Sequence, residues 1–405
     1  MKIAFIVAYV PNRVRTRPYN LITQLTGLGH QVDVFTVGAG QADRADADAL
    51  KSRCRSVCYY EQPVWRSFLN SALAVTSGKP LQSVYSLQKD LLHRLEEIFE
   101  RKDGERAYDI VHVEHLRGSE YGTFLKSRFP VLPVVWDSVD CISHLFRQAA
   151  GQSQSLFGKW VSRFELDRTR KAEASLLEIF DHILVTSATD RSALMDVSRV
   201  GTAPAPISVI SNGVDQEYFK PDPGTSKEPD TLVFSGKMSY HANISMVKYL
   251  VNEIMPLIWR QRPAVRLFVV GKDPSSDIQK MGENPLITVT GTVNDIRPFL
   301  WKSAIAVAPL VYGAGVQNKI LEAMATGLPV VTTSKALSSL NVTPGTDLLA
   351  GDTPQEIANC VLNLLANPDV RQSVGAAGRR YVQEHHNWGA IAGQLSQIYS
   401  ELALP

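Results

Sequence analysis

Cysteine is scarce. Cys54, Cys58, Cys141 and Cys360 are the only four in 405 residues, too few and too scattered for a disulfide-stapled fold. Cys54 and Cys58 are close together but lack the second Cys or His pair of a zinc site, so all four read as reduced thiols of a cytosolic protein. No apolar run approaches the ~20 residues that cross a bilayer as a helix, which excludes helical membrane spans. An excess of one charge is also missing. With 42 Lys+Arg against 40 Asp+Glu and a formal charge of +2, there is no broad basic field of the kind that neutralises nucleic-acid phosphates, which argues against dedicated DNA or RNA binding. No acidic cluster suggests a divalent metal, and no short repeat or low-complexity tract is present.

What is present is a chain long enough for two or three ordinary domains at ~150 residues each, with 44% hydrophobic residues. The apolar start, Met1 to Val10, runs into Pro11-Asn12-Arg13 without a small-residue cleavage site, and reads as a first strand rather than a signal peptide. Short β-branched runs then alternate with longer helical patterns, the signal for parallel sheets covered on both faces. Strands are expected at 3–8, 31–36, 110–113, 131–136 and 183–186. A helix at 18–28 ends at Gly29 in the manner of a C-cap glycine, and a longer one is expected over 162–180. The pattern breaks at Ala203-Pro204-Ala205-Pro206, and turn residues recur through Asn212-Gly213 and Pro221-Asp222-Pro223-Gly224. A second series of strands follows at 231–234, 265–270, 287–290, 305–309 and 329–332. Three helices close the chain, the first opened by the capping box Thr353-Pro354-Gln355-Glu356. These readings give an α/β protein of two Rossmann-like domains, 1–202 and 203–385, with residues 386–405 forming a helix that packs back on the N-terminal domain. The carboxyl ends of both sheets are expected to face one cleft, where open α/β sheets bind ligands.

The most informative segment runs from Gly313 to Val331. It begins as a glycine loop, Gly313-Ala314-Gly315, and continues as a helix through Gln317, Asn318 and Lys319, so free backbone N–H groups and a positive dipole end form an anion site suited to phosphate. Glu322 stands four residues after Asn318 among Leu321, Ala323, Met324 and Ala325. A carboxylate in that company is costly unless it is hydrogen-bonded. A ribose diol offers two donors to its two oxygens; a structural Arg or Lys is the other partner that spacing allows.

On these residues the chain resembles the family-four retaining glycosyltransferases of the GT-B architecture. Leu321-Glu322-Ala323-Met324-Ala325-Thr326-Gly327-Leu328-Pro329-Val330-Val331 is similar to the second half of that family's hallmark, and the glutamate of the first half is replaced by Ala314. The resemblance implies that Glu322 binds the ribose of a nucleotide-sugar donor. Within the family, Gly315-Val316-Gln317-Asn318-Lys319 resembles a branch linked to bacterial exopolysaccharide and exosortase systems. So do Gly236-Lys237-Met238-Ser239-Tyr240-His241-Ala242-Asn243 and the turn from Thr290 to Pro298. Ile210 to Asp215, with Phe219 and Pro221, looks like the family's interdomain signature. In the N-terminal half only the strand pattern and Gly29 to Val34 are reminiscent of it.

The resemblance implies further roles. Lys237, after Gly236, falls where relatives neutralise the donor diphosphate. The family's second cation falls at Asn243, which leaves Lys319 as its replacement. Val293 lies where relatives use main-chain groups to read the base, and Asp295 is expected to cap the helix that follows. On the N-terminal side, Arg13, Arg15 and Arg17 put three guanidinium groups at a loop where relatives have glycines, suited to a diphosphate or an anionic acceptor, with a solvated basic loop as the alternative. Asp137 and Asp140 follow a strand; each suits a substrate hydroxyl or a helix cap. His112 and His115 read as structural histidines. The stretch Val64–Val75, with Trp65, Phe68 and Leu69, has two readings: a membrane-facing helix meeting a lipid-linked acceptor, or ordinary core packing, which is the one expected.

The expected protein is a cytosolic transferase, at the inner face of the membrane if its acceptor is lipid-linked. It moves a sugar from a nucleoside diphosphate to a hydroxyl of a glycan or lipid-linked acceptor, with retention implied by the resemblance. No cofactor beyond the donor and no metal are required. Domain closure is expected to align donor and acceptor while Lys237, Lys319 and the helix start stabilise the leaving diphosphate. A nucleotide-sugar epimerase and a non-catalytic nucleotide-sugar-binding protein are the rival readings.

Overall fold

The computed structural model describes residues 1–100, 106–152, 156–198, 204–312 and 316–403, without the side chains of 149–152 and 156–162. The chain divides into two compact units, Met1–Ser211 with Trp388–Pro405, and Asn212–Asn387. The domain boundary expected at 202/203 falls outside the described residues, and the division comes after Ser211.

The first unit holds a seven-stranded sheet of β1 (Lys2–Val7), β2 (Gln31–Gly38), β3 (Ser56–Glu61), β4 (Ile110–Glu114), β5 (Val134–Val139), β6 (His182–Val185) and β7 (Ile207–Val209), in the order β3-β2-β1-β4-β5-β6-β7. Every pairing is parallel. Parallel strands need helical crossovers, which cover both faces, and the strands are accordingly apolar on both sides. Ile3, Phe5 and Val7 join one core, while Ala4, Ile6 and Ala8 join the other. The first helix, Thr16–Gly27, ends with Gly29 at φ +88°, a left-handed position that suits glycine. β3 was not expected. It is an edge strand of half-buried residues, so it lacks the continuous apolar run that marks central strands.

Trp388, Ile391, Leu395 and Tyr399 of the last helix, Trp388–Ala403, sit in the same core as Phe5, Leu21 and Leu25. The C-terminal helix therefore belongs to the first unit. Its Tyr399 hydroxyl lies 2.6 Å from Nδ1 of His112, whose ring stacks on Phe5 at 4.1 Å.

The second unit repeats the plan with β8 (Thr231–Ser235), β9 (Arg266–Val270), β10 (Ile287–Val289), β11 (Ile305–Ala308), β12 (Val330–Thr332) and β13 (Leu349–Ala350), in the order β10-β9-β8-β11-β12-β13, again all parallel. The helix Pro354–Ala366 opens with the expected capping box, Thr353 and Glu356 each bonding the other's backbone. Two Rossmann-like units of this kind make the GT-B fold.

One helix reverses its expected packing. Val64–Ser77 buries Ser67 and Ala74, while Trp65, Phe68 and Leu69 are exposed. Its Asn70 side chain reaches inward to the carbonyls of Val84 (3.1 Å) and Leu87 (2.8 Å). The expectation of ordinary core packing for this stretch is therefore corrected: polar and small side chains face the protein, and the apolar face looks out.

Candidate functional site

In the second sheet the strand order reverses between β8 and β11, and open parallel sheets place ligands at the carboxyl ends of strands at such a reversal. Three turns lie there. After β8 comes Gly236 at φ +155°, followed by the exposed Lys237. After β9 comes Gly271 at φ +150°, where a Cβ would stand only 1.7 Å from the Gly236 carbonyl oxygen. The two backbones touch, and that contact admits only glycine at 271. Gly271 was not singled out in the sequence, although a glycine directly after Val269-Val270 was a signal available to it. The other turn follows β11 and enters the helix Asn318–Ala325. Residues 313–315, with Gly315 and the substituted Ala314, lie outside the described residues.

Lys319 Nζ donates to Asn243 Oδ1 at 2.8 Å and to Gln317 Oε1 at 3.3 Å, and stands 5.6 Å from the Phe234 ring centre. Asn243 Nδ2 in turn donates to the Lys237 carbonyl at 2.9 Å. A Cβ on Gly236 would come within 3.3 Å of Lys319 Cε, so the turn carrying Lys237 packs directly against Lys319. Asn243, where the family resemblance places a cation, thus anchors the cation arriving from the neighbouring helix.

Glu322 follows Lys319 by one helical turn, on the same face. Burial pushes its carboxyl up to about 7, against the pull of Lys319. Burial likewise lowers the Lys319 ammonium to about 8, against the pull of Glu322. Both groups are thus under-solvated, and the desolvation outweighs their mutual attraction. Among the described residues the half-buried Glu322 side chain makes no hydrogen bond, and no salt bridge joins it to Lys319 within 4.0 Å. Asn318 accepts from Asn212 Nδ2 at 3.3 Å, and the Asn212 carbonyl accepts from His386 Nδ1 at 2.6 Å. Val293 is half-buried in the turn after β10. Asp295 accepts from the Arg297 amide at 2.9 Å and pairs with its guanidinium, but the cap of the helix Arg297–Lys302 is Ile296, so the expectation that Asp295 caps it is corrected.

The first sheet reverses between β1 and β4. Beyond these strand ends the Tyr9 hydroxyl donates to Glu114 Oε1 at 2.6 Å. Burial, reinforced by Asp137, pushes Glu114 up to about 8. Its other oxygen and Arg117 Nε are buried without a protein partner. Sequence reasoning passed over Glu114 as a residue between two histidines; only its position at the sheet reversal marks it out.

Three expectations on this side are corrected. Arg17 does not share a solvent loop with Arg13: it is 4% exposed in the first turn of Thr16–Gly27, where Nε donates to Asp137 Oδ2 at 2.8 Å and Nη1 to the Ile210 carbonyl at 2.9 Å. Arg15 binds Asp43 and the Val10 carbonyl, which leaves Arg13 as the outward one of the three. Asp137 is fully buried against Arg17, with His112 Nε2 3.8 Å away, and this ion pair closes it to a substrate hydroxyl. Asp140 accepts from the Thr186 hydroxyl at 3.3 Å, and burial, then Asp190, pushes it up to about 7. It is not the helix cap: the Cys141 and Ser143 amides donate to Asp190 and Glu173 instead. His115, held at φ +62°, is lowered to about 4 by burial. Among the described residues no group of three His, Cys, Asp or Glu side chains is arranged to hold a metal ion.

Comparison with known proteins gives matches along the chain. The model of Glycosyltransferase Family 4 matches residues 14–218, and that of Glycosyl transferases group 1 matches 229–367. A GDP-mannose-dependent monoacylated alpha-(1-6)-phosphatidylinositol monomannoside mannosyltransferase of Corynebacterium glutamicum is 27% identical over 36% of this chain and 41% of its own length. The chain therefore spans under half of that relative. An uncharacterized 44.6 kDa protein in the cps region of Klebsiella pneumoniae is 22% identical over 93% of this chain and 92% of its own. Among solved structures, sucrose-phosphate synthase from Thermosynechococcus elongatus superposes with a TM-score of 0.70 at 20% identity, covering 99% of both chains. Anabaena Alr3699/HepE, in complex with UDP and glucose, does so at 0.68 and 15%, covering 99% of both. Family 4 matches just over half of the sequence and the architecture of these neighbours is the one seen here, so the chain belongs to Glycosyltransferase Family 4.

Proposed function

We propose that this chain transfers a sugar from a nucleoside-diphosphate sugar to a hydroxyl acceptor, with retention at the anomeric carbon, in bacterial polysaccharide or glycoconjugate synthesis. The observation that carries the reading is Glu322, a half-buried carboxyl whose side chain has no protein hydrogen-bond partner among the described residues, one turn from Lys319 at the carboxyl end of the second sheet. Two ribose hydroxyls supply the two donors its oxygens accept. The diphosphate then lies toward the start of the helix Asn318–Ala325, within reach of Lys319 and Lys237, with Asn243 and Gln317 fixing the Lys319 ammonium. Arrival of the diphosphate restores the charge that burial discourages on Lys319. As the glycosidic bond breaks, negative charge grows on the departing phosphate, and a preorganised cation and helix end stabilise it without reorganising. The reading uses no protein nucleophile and no metal.

A bound UDP in the Anabaena neighbour, a phosphatidylinositol mannoside in the name of the Corynebacterium relative and the cps region of the Klebsiella relative support, respectively, a nucleotide donor, a lipid-linked or glycan acceptor and a role in surface polysaccharide. Thermal-shift screening against nucleoside-diphosphate sugars should find selective stabilisation by one of them. Glu322→Ala should weaken that ligand by about 1–3 kcal/mol in titration calorimetry, through loss of charge-assisted hydrogen bonds. Unchanged affinity removes Glu322 from the site, and a chain that binds no nucleoside diphosphate ends the reading.

A further inference from the structure

The outward face of the helix Val64–Ser77 is unlike the rest of the surface. Among the described residues twelve large hydrophobic side chains are exposed, and six of them, Val64, Trp65, Phe68, Leu69, Leu73 and Val75, are on this helix. Trp65, Phe68 and Leu73 are 63%, 65% and 67% exposed. The spacing i, i+3, i+4 and i+8 from Trp65 puts four of these side chains on one helical stripe. A stripe of that kind normally faces a core; here the polar side holds the protein, through Asn70 and through Arg168, whose guanidinium donates to the carbonyls of Ala74, Val75 and Lys79. The helix is therefore held in place with its apolar side to the solvent, at a cost that an isolated exposed leucine does not carry.

The charge around this face decides what covers it. From Gln62 to Lys89 there is no Asp or Glu, and Arg66, Lys79 and Lys89 are all exposed, Lys79 being paired with Glu120 at 2.6 Å. Arg66 folds over the Trp65 ring at 5.7 Å, at the edge of the apolar stripe. An apolar stripe with Arg66 at its edge and no acid on its own helix complements an anionic bilayer, where the rings sink to the acyl boundary and the cation meets lipid phosphates. A second copy fits less well, because a two-fold contact brings two faces of the same sign together, each carrying Arg66 and no acid on the helix. We infer that this face docks the protein onto an anionic lipid surface, with Trp65, Phe68, Leu69 and Leu73 inserted and Arg66 at the headgroups. The inference does not depend on the donor reading above.

Flotation of the full chain with vesicles tests it. Vesicles containing about a third phosphatidylglycerol in phosphatidylcholine should carry the protein, and pure phosphatidylcholine vesicles should not. The double variant Trp65→Ser, Phe68→Ser should lower the bound fraction about tenfold or more, and Arg66→Glu alone about fivefold or more. These residues are exposed, so circular dichroism and nucleotide affinity should match the parent. Failure to float with anionic vesicles, or equal flotation of parent and both variants, overturns the inference. So does a solution dimer that the double variant disperses, since a second copy would then be the occupant.

Discussion

Glu322, Lys319 and Gly271 show how much single positions contribute to the site in the second unit. Two backbones pass within contact distance where Gly236 and Gly271 meet, and any side chain at 271 must push a carbonyl aside. Gly271→Ala should therefore cost about 2–4 kcal/mol in urea denaturation, from the left-handed backbone and the overlap together, and should displace the Lys237 turn. A loss under half a kcal/mol would mean that the two turns are not packed as described. The Asn243 side chain acts differently. It bonds the Lys237 carbonyl on one side and the Lys319 ammonium, 76 residues from it in sequence, on the other, and so links the two turns.

Among the elements, the helix Thr16–Gly27 is tied to its sheet by one buried ion pair. Arg17 joins Asp137 of β5 and the carbonyl of Ile210 just after β7. Arg17→Met leaves the Asp137 carboxylate buried without its partner, and loss of one member of such a pair typically costs about 3–5 kcal/mol. Replacing both, as Arg17→Met with Asp137→Leu, should recover a good part of that in the same denaturation assay, because the cost lies in the orphaned charge. If the single and double variants are equally unstable, the pair is not what holds the helix. The helix Val64–Ser77 makes the opposite case, an element fixed by hydrogen bonds from its polar side so that its apolar side stays available.

For the whole molecule, buried carboxyls set the response to pH. Glu114 is pushed up to about 8, and Asp140, Glu173 and Glu322 to about 7, in each case chiefly by burial. In that range the folded protein holds protons that the unfolded chain has already released, so their stabilising effect is lost as pH rises through these values. His112 and His115, lowered to about 4 by burial, act in the opposite sense but only below their unfolded value near 6.5. The melting temperature should therefore fall between about pH 6.5 and 8, and Glu114→Gln should flatten that fall. A melting temperature constant over the interval would show that these carboxyls ionise freely in the fold.

Much of this was written locally. Alternation of β-branched runs with helical stretches sufficed for two parallel sheets, the capping box at Thr353 for a helix start, and Glu322 among apolar neighbours for a partly buried carboxyl, since each rests on residues within a turn or two of one another. The edge strand β3, the Arg17–Asp137 pair and the Gly236–Gly271 contact could not be read that way. Their partners are distant in the chain, and an Arg among polar loop residues looks solvated until the fold brings a carboxylate 120 positions away to meet it. The orientation of the helix Val64–Ser77, expected to pack inward, came out reversed for the same reason: a helical repeat gives an apolar face, and only the packing of the other face determines whether it ends inside or out.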